Sequence, residues 1–175
     1  RSTRLNGNQY SGYLGVLKHG VPGFLLEGWF HTYQPARHRA LNFDYGQQEG
    51  RREARGVGKY FNLPALTTGD IMGAVRDLHE KFSHTYYKPI PGSDDALLPL
   101  NGAEVTLYRG NEVVASCTVD NEYNGIFVFE DLEPGDYTLD VTLDGYKPLA
   151  DEYKVPVTVT ADKTSYAKLF LENEN

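Results

Sequence analysis

The sequence of 175 residues contains a single cysteine, a single tryptophan and a single methionine. Because Cys117 has no second cysteine to pair with, the chain cannot build an internal disulfide framework or a zinc site made of cysteines. No apolar run approaches the roughly 20 residues that a transmembrane helix needs, so we predict no membrane span. The chain begins at Arg1 without a basic and apolar leader, so we expect no secretory signal within it.

Basic residues are scarce after residue 62. Residues 63–175 contain eight Lys and Arg against twenty Asp and Glu, a net charge of −12. Residues 1–62 contain nine Lys and Arg against four Asp and Glu, a net charge of +5, and the two sums give the total of −7. This asymmetry indicates two units with different surfaces. The acidic unit argues against a nucleic-acid partner. The arginines of the basic unit could serve an anionic polymer, but they lie mostly in one helix-like stretch, which favours a solvated helix face.

Residues 69–173 carry the signals of an all-β domain. Short segments rich in β-branched and aromatic residues alternate apolar with polar positions, as Tyr137, Leu139 and Val141 do. Turn pairs such as Asn124-Gly125 separate them. The segments are 69–77, 102–110, 112–120, 124–132, 135–146, 153–162 and 165–172. We therefore predict a seven-stranded β-sandwich, with Cys117 on an inward face as a small core residue.

One segment interrupts this pattern. Residues 78–100 contain three prolines and no periodicity, which predicts a long loop between the first two strands. Loops of this length are functional or mobile in most proteins. Tyr86 and Tyr87, with histidines at 79 and 84, could form a ligand patch. The composition favours a different interpretation, in which the segment is a mobile loop that covers a sheet edge.

Residues 1–63 have a different pattern. Short apolar runs at 13–20 and 21–27 predict two strands, and the stretches 34–43 and 48–62 predict two helices. In the second helix Ala54, Val57 and Phe61 recur at helical spacing, which predicts a core-facing stripe. Strands followed by helices predict a partial α/β layer, which cannot bury its own core. Residues 64–68 would link this layer to the β-sandwich.

A single carboxylate, Glu27, ends the apolar run of the second predicted strand. A buried strand rarely ends in an unpaired acid unless the acid has a chemical task or a cation to face. The alternative is an ion pair with an arginine of the following helices, such as Arg37 or Arg39. The residues alone leave both interpretations open.

Five motifs of residues 69–173 occur together in one known domain family. They are Gly73-x-Val75-x-Asp77, Gly102-Ala103-x-Val105, Asn124-Gly125 followed by Phe127 and Phe129, Leu132-x-Pro134-Gly135-x-Tyr137, and Gly145-Tyr146. This part resembles the transthyretin-like, or carboxypeptidase regulatory-like, domain. The resemblance implies a module appended to a secreted bacterial enzyme, without catalytic machinery of its own.

The first part resembles the C-terminal third of a zinc-dependent N-acetylmuramoyl-L-alanine amidase. The matching segments are Leu14–Lys18, Pro22–Glu27, Gly28 with Phe30, and the helix that closes at Tyr60-Phe61. The resemblance implies a peptidoglycan hydrolase of the bacterial cell envelope, extracellular or periplasmic, with Glu27 as general base and acid. The zinc ligands would lie upstream and none in this chain, so the isolated chain should be inactive.

Trp29 and His31 follow Glu27 closely, and the amidase resemblance makes them candidate contacts to peptidoglycan. Trp29 stands where that family favours glycine, and Tyr33 where it favours asparagine. The catalytic unit would be completed by a missing N-terminal part or by a partner chain. Two alternatives stay open: a fragment of a zinc carboxypeptidase with its regulatory β-sandwich, and a non-catalytic binding or spacer module of a secreted protein.

Overall fold

The computed structural model describes residues 2–5, 8–11, 26, 28–150 and 153–174. The chain forms two compact units, Arg1–Phe30 and His31–Asn175. In the first unit, strands β1 (Ser2–Leu5) and β2 (Asn8–Ser11) form an antiparallel hairpin. The strands predicted at 13–20 and 21–27 lie outside the described residues, apart from Leu26.

Two helices open the second unit. Helix α1 spans Gln34–Ala40 and helix α2 spans Phe43–Tyr60, so both predicted helices are present with shifted bounds. The second helix begins at Phe43 rather than at residue 48 because Asn42 caps it. The Asn42 side-chain oxygen accepts the backbone N–H of Tyr45 at 2.8 Å, which satisfies one of the free donors of the first turn.

Both helices belong to the same compact unit as the β-sandwich. The division between units falls after Phe30, whereas we predicted an amidase-like domain over 1–63 and a linker at 64–68. The described part of residues 1–63 contains one hairpin and two helices and no parallel sheet, so the predicted α/β layer finds no support there.

Within the described residues, the β-sandwich has nine strands in two sheets, against the seven predicted. The strands are β3 (Gly69–Lys81), β4 (Leu97–Pro99), β5 (Glu104–Arg109), β6 (Glu112–Thr118), β7 (Ile126–Leu132), β8 (Gly135–Thr142), β9 (Tyr146–Pro148), β10 (Val155–Val159) and β11 (Thr164–Asn173). One sheet has the order β4–β3–β11–β9, with β7 also paired to β3, and the other has the order β10–β8–β5–β6. The additional strands β4 and β9 have three residues each, too few for a periodic signal.

The loop predicted at 78–100 is wrong in extent, because strands and a 3₁₀ helix take up part of it. Strand β3 continues to Lys81 because β4 pairs with it there, which satisfies backbone groups of the predicted loop. The remaining segment contains a 3₁₀ helix, Asp94–Ala96, and it buries Tyr87 to 7% exposure. The buried Tyr87 favours an anchored segment, and the mobility that we expected for the loop stays a prediction.

The core lies between the two sheets and follows the predicted alternation. Tyr137, Leu139 and Val141 of β8 are all buried at 4% exposure or less. The same cluster includes inward residues of other strands, among them Ile71, Val75, Val105, Leu107, Phe127, Phe129, Val157, Val159, Leu169 and Leu171. Cys117 packs against this cluster while partly buried, in agreement with its predicted inward face.

Two glycines are required by close packing of the backbone. A Cβ atom at Gly73 would overlap the Phe127 ring and the Ala167 carbonyl, so only glycine lets β3 and β11 pack beneath that ring. Gly125 has a φ of 71°, and a Cβ atom there would overlap the Val75 carbonyl. Asn124 and Gly125 thus lie in the connection between β6 and β7, where we predicted a join, and the close approach of the Val75 carbonyl is the physical reason for the glycine.

Candidate functional site

The structure places the predicted site residues only in part. Glu27 lies outside the described residues, so its catalytic role stays a prediction. Trp29 is 41% exposed and His31 is exposed, and their contact with peptidoglycan also stays a prediction. Arg39, which we considered as an alternative partner of Glu27, pairs with Asp95 at 2.8 Å between Nη1 and Oδ1.

The described residues offer no donor set for zinc. Nowhere among them do three or more His, Cys, Asp or Glu side chains come together in a way that could hold a metal ion. Zinc in proteins takes three or four such ligands. The amidase resemblance places the zinc ligands upstream of this chain, so no chemical step through zinc is built on the residues that the structure describes.

Helix α2 is attached to the β-sandwich by three charged side chains, Arg51, Arg55 and Asp70, which we name the arginine seam. Asp70 lies at the start of β3 and is fully buried. Its Oδ2 accepts a hydrogen bond from Arg55 Nη2 at 2.6 Å, and its Oδ1 accepts one from Arg51 Nη2 at 3.2 Å. Such charge-assisted pairs fix the orientation of the groups that they join.

Further polar contacts flank the arginine seam. Gln48 of α2 is fully buried, donates to Glu130 Oε1 at 2.8 Å and accepts from the Thr164 hydroxyl at 3.3 Å. Asp131 has a φ of 56°, a left-handed conformation that directs its N–H to Asp70 Oδ1 at 3.1 Å. Arg51 also donates to Asp131 Oδ1 at 2.6 Å. The helix is therefore held by a hydrogen-bonded network, which specifies one docked arrangement.

The network controls the charge state of Asp70. Burial alone would raise the pKa of this carboxyl group, but the Asp131 N–H and the guanidinium groups of Arg55 and Arg51 outweigh it and hold the pKa below its ordinary value. Asp70 is thus a carboxylate at neutral pH, with a positive partner on each oxygen. The solvated-helix interpretation is wrong for these two arginines, which face the sandwich and not only solvent.

A second anchor joins helix α1 to the segment before β4. Asp95 accepts hydrogen bonds from the Tyr33 hydroxyl at 2.8 Å, Arg39 Nη1 at 2.8 Å and Arg76 Nη2 at 3.0 Å. Arg76 lies on β3 and is 6% exposed. Asp95 therefore connects Tyr33, helix α1 and the sandwich through one carboxylate.

Aromatic rings form a third anchor beside Asp95. The Phe82 and Tyr87 ring centroids are 4.5 Å apart in an edge-to-face arrangement, and the His38 ring of α1 lies 5.8 Å and 5.6 Å from them. The Tyr123 ring centroid lies 5.3 Å from that of Phe82. Edge-to-face pairs of this kind add about 0.5–1.5 kcal/mol beyond their buried area.

The apolar stripe of α2 faces away from the sandwich. We predicted that Ala54, Val57 and Phe61 face a core, but all three are exposed, Phe61 to 64%. The prediction is wrong within this unit because the arginines and Gln48 on the other face of the helix are committed to the sandwich. The hydrogen bonds of Gln48, Arg51 and Arg55 fix which face of the helix meets the sandwich, and this leaves Val57 and Phe61 exposed.

A separate concave region lies on the four-stranded sheet and the turn after β8. It is a groove of about 900 Å³, lined chiefly by polar side chains. Carboxylates are contributed by Glu104, Asp140 and Asp144, and aromatic rings by Tyr146 and Tyr153. Burial raises the pKa of both tyrosines, so their hydroxyl groups are neutral at physiological pH.

The single thiol is not poised for chemistry. Burial raises the pKa of Cys117 to about 11, so the thiol is protonated at neutral pH. A protonated thiol is a poor nucleophile and a poor metal ligand. Cys117 thus acts as the small core residue that the sequence predicted.

The nine-stranded sandwich defines a class of domain, and comparison with known proteins agrees with it. Residues 93–172 match the model of the carboxypeptidase regulatory-like domain. The predicted class of the β-sandwich is thereby confirmed, and β3 adds a central strand that the match does not include. The match does not extend into residues 1–63, so the amidase-like identity of that part stays a prediction.

Solved structures show limited likeness to the chain. The minor pilin GBS52 of Streptococcus agalactiae is 18% identical over 62% of this chain and 46% of its own, with a TM-score of 0.42. The shaft pilin spaA of Lactobacillus rhamnosus GG is 16% identical over 62% and 52%, with a TM-score of 0.41. A DUF3823 family protein of Parabacteroides merdae is 20% identical over 62% and 47%, with a TM-score of 0.39.

The chain spans about half the length of each of these three structures. No significant relative was found among curated protein sequences. No helix within the described ranges is long and apolar enough to cross a membrane.

Sequence reasoning missed the arginine seam, although two signals for it were present. The charge asymmetry places the arginines of 1–62 beside a strongly acidic second part. Asp70 also interrupts the apolar start of a predicted strand, as Glu27 ends another. An acid in a buried strand predicts a cationic partner, and the arginine-rich helix just before it is the nearest supply in the sequence.

Proposed function

We propose that this chain acts as a non-catalytic spacer module of a secreted or cell-envelope protein, in which the β-sandwich holds a helical segment in one fixed orientation. The single observation that carries the proposal is the arginine seam. A fully buried carboxylate on β3 binds two arginines of α2, and this arrangement has one geometry rather than many.

Two further anchors support the same function. The Asp95 contacts and the aromatic cluster hold α1, while the arginine seam holds α2, so the helical segment is attached along its length. A flexible linker would show few buried contacts and a polar, solvated backbone. Residues 34–60 instead bury Gln48, Pro35 and Ala36 against their surroundings.

Hydrolysis of peptidoglycan stays a prediction from the amidase resemblance. It needs Glu27, a zinc ion and upstream ligands, and we expect the 175-residue chain to be inactive without them. The extracellular or periplasmic location rests on the same resemblance and on the class of the β-sandwich. Incubation of the chain with muramoyl peptide and zinc should release no peptide, and release would overturn the non-catalytic proposal.

The spacer function can be tested by measuring distances between spin labels. Labels would be attached at Glu53→Cys on α2 and Glu112→Cys on β6, both exposed, in a Cys117→Ala background. Electron–electron double resonance should give one narrow distance distribution. The same pair with Asp70→Asn should give a broad one, because the guanidinium groups lose their charged partner.

A matched control separates loss of the seam from loss of charge. Asp144→Asn removes the same charge at an exposed residue in the turn after β8 and should leave the distribution narrow. A broad distribution in the protein with an intact arginine seam would contradict the spacer function.

A further inference from the structure

Strand β6 ends one side of the four-stranded sheet, and within the described ranges it pairs with β5 alone. An edge strand presents a row of unpaired backbone N–H and C=O groups, which can pair with a strand of another chain. The residues of this edge are accessible: Val113 is 57% exposed, Val114 is 45% exposed, and Ser116 and Thr118 are exposed as well. The edge is therefore open to a partner.

The backbone hydrogen bonds at the end of β6 show which of its groups are free. Val119 donates its N–H to the Ala103 carbonyl at 2.9 Å, and its own carbonyl accepts the Gly102 N–H at 3.0 Å, so both groups face the β5 side. Residues along an antiparallel strand alternate between those that bond one neighbour and those that point to the other side. Counting back from Val119, Ser116 and Thr118 direct their N–H and C=O groups to the open side.

The other strands at sheet edges carry features that block such pairing. Proline, which has no N–H to donate, occurs in three of them: Pro99 of β4, Pro148 of β9 and Pro156 of β10. Strands β4 and β9 are also only three residues long. Strand β7 carries two acids that α2 binds, since Gln48 donates to Glu130 and Arg51 donates to Asp131. These edges are therefore protected.

Strand β6 lacks these features. Residues 113–118 contain no proline and no charged residue. The register of β5 and β6 shifts at Val114, between Leu107 and Tyr108, and this bulge limits the regular edge to residues 115–118. A short regular edge supports a weak and reversible contact rather than a permanent one.

The chemistry of the edge favours a second copy of the same strand as its partner. In an antiparallel pair related by a two-fold axis, an even-numbered residue lies opposite an even-numbered residue, so free groups meet free groups. With Ser116 opposite Thr118 of the second copy, about four hydrogen bonds form. Because residues 113–118 are uncharged, the two strands meet without like charges, and a charged peptide would gain no ion pair along them.

We propose that β6 pairs antiparallel with β6 of a second copy of this chain, so that the four-stranded sheets of the two copies join into one continuous sheet. The contact consists of backbone hydrogen bonds between uncharged strands, while each copy carries a net charge of −7. Salt screens the repulsion between the copies, so dimerisation should strengthen as ionic strength rises. A dimer held by ion pairs would weaken instead, and that result would overturn the proposal.

Sedimentation velocity of the full chain tests the proposal, at concentrations up to about 1 mM and with reductant to keep Cys117 a thiol. The parent should show a reversible monomer–dimer equilibrium. Ser116→Pro should weaken dimerisation by about tenfold or more, since each copy loses one hydrogen bond across the axis. Ser116→Ala keeps the N–H and is the matched control, with dimerisation within about twofold of the parent.

The fold of the variants is checked by thermal unfolding. Ser116→Pro should melt with the parent, because the N–H that it removes does not bond β5. If proline disturbs the strand, Ser116→Lys replaces it, since this variant keeps the N–H but places a cation on each copy beside the axis. A parent that stays monomeric throughout, or equal dimerisation of the parent and both variants, would overturn the proposal.

Amide hydrogen exchange locates the contact. In dilute protein the Ser116 and Thr118 amides should exchange quickly because they face solvent, whereas the Cys117 amide should exchange slowly because it bonds β5. At high concentration Ser116 and Thr118 should become protected. Concentration-dependent chemical shifts confined to Val57 and Phe61 would assign dimerisation to the exposed stripe of α2 and would overturn the proposal.

Discussion

The β-sandwich and the helical segment on it are stabilised by different kinds of contact. Between the two sheets, apolar side chains such as Ile71, Leu107 and Leu139 are fully buried. Between α2 and the sandwich, the fully buried side chains are Gln48 and Asp70. Apolar burial supplies stability without strong direction, whereas hydrogen-bonded charges supply direction with little net stability. The sandwich should therefore set whether the unit folds, and the polar contacts should set where the helices lie.

The largest expected effect is in the core. Phe127→Ala should lower the free energy of unfolding by about 3–5 kcal/mol, since it removes a ring that is 2% exposed and packs on Gly73. Urea denaturation measures the change. Phe61→Ala removes the same ring at an exposed site and should cost much less, and equal losses at the two sites would contradict the described core.

Tyr87, which anchors the segment between β3 and β4, should have the next largest effect on the free energy of unfolding. Tyr87→Ala should cost about 2–4 kcal/mol, because the ring is buried among Phe82 and His38. The neighbouring Tyr86 is 70% exposed, and Tyr86→Ala is the matched control with a change within about 0.5 kcal/mol. If both substitutions were neutral, the segment would be the mobile loop that the sequence first suggested.

Loss of the arginine seam should change the orientation of helix α2 more than it changes the free energy of unfolding. Asp70→Asn keeps the volume but replaces charge-assisted hydrogen bonds, and we expect a loss of about 1.5–3 kcal/mol. Thermal unfolding of this variant and of Asp144→Asn gives the comparison. A loss above that of Phe127→Ala would mean that the seam, and not the apolar core, dominates the stability of the unit.

Acid should weaken the seam before it weakens the core. The folded pKa of Asp70 is below its unfolded value of about 3.9. The carboxylate therefore stabilises the fold at all pH values above about 4, and this contribution is lost as pH falls through the folded pKa. Between pH 7 and pH 2.5 the melting temperature should fall less in Asp70→Asn than in the parent. Parallel curves of melting temperature against pH would show that Asp70 makes no pH-dependent contribution to stability.

The smallest effect is expected on the exposed stripe of α2. Val57→Ser should change the free energy of unfolding by no more than about 0.5 kcal/mol, because Val57 is 40% exposed. Val75→Ser, at a fully buried valine, is the contrast and should cost several times more. A large loss of stability in Val57→Ser would show that the stripe faces a core.

The alternation of apolar residues predicted strands such as β8 because these strands have one buried face, whereas β3 is buried on both faces over much of its length. Tyr137, Leu139 and Val141 show this, and the Asn124-Gly125 turn follows from a backbone that only glycine fits. The short strands β4 and β9 escaped detection because three residues cannot show a period. Their position depends on pairing with β3 and β11, which is tertiary information.

The helical segment shows where periodicity misleads. The spacing of Ala54, Val57 and Phe61 predicts an apolar face correctly, but the partner of that face is not encoded in the spacing. Which face of α2 meets the sandwich is decided by Arg55 and Asp70, whose pairing depends on three-dimensional position. The groove is likewise beyond periodicity, since Glu104 and Asp140 meet only through the register of β5 and β8.

Hydrogen exchange of the α2 amides tests most directly whether polar contacts hold the helical segment on the sandwich. An isolated helix of this length with several glycines is marginal in water and exchanges quickly. We predict that residues 48–58 are protected in the parent, and that Asp70→Asn removes this protection while β3 and β11 keep theirs. Fast exchange of α2 in the parent, or unchanged protection in Asp70→Asn, would contradict the account.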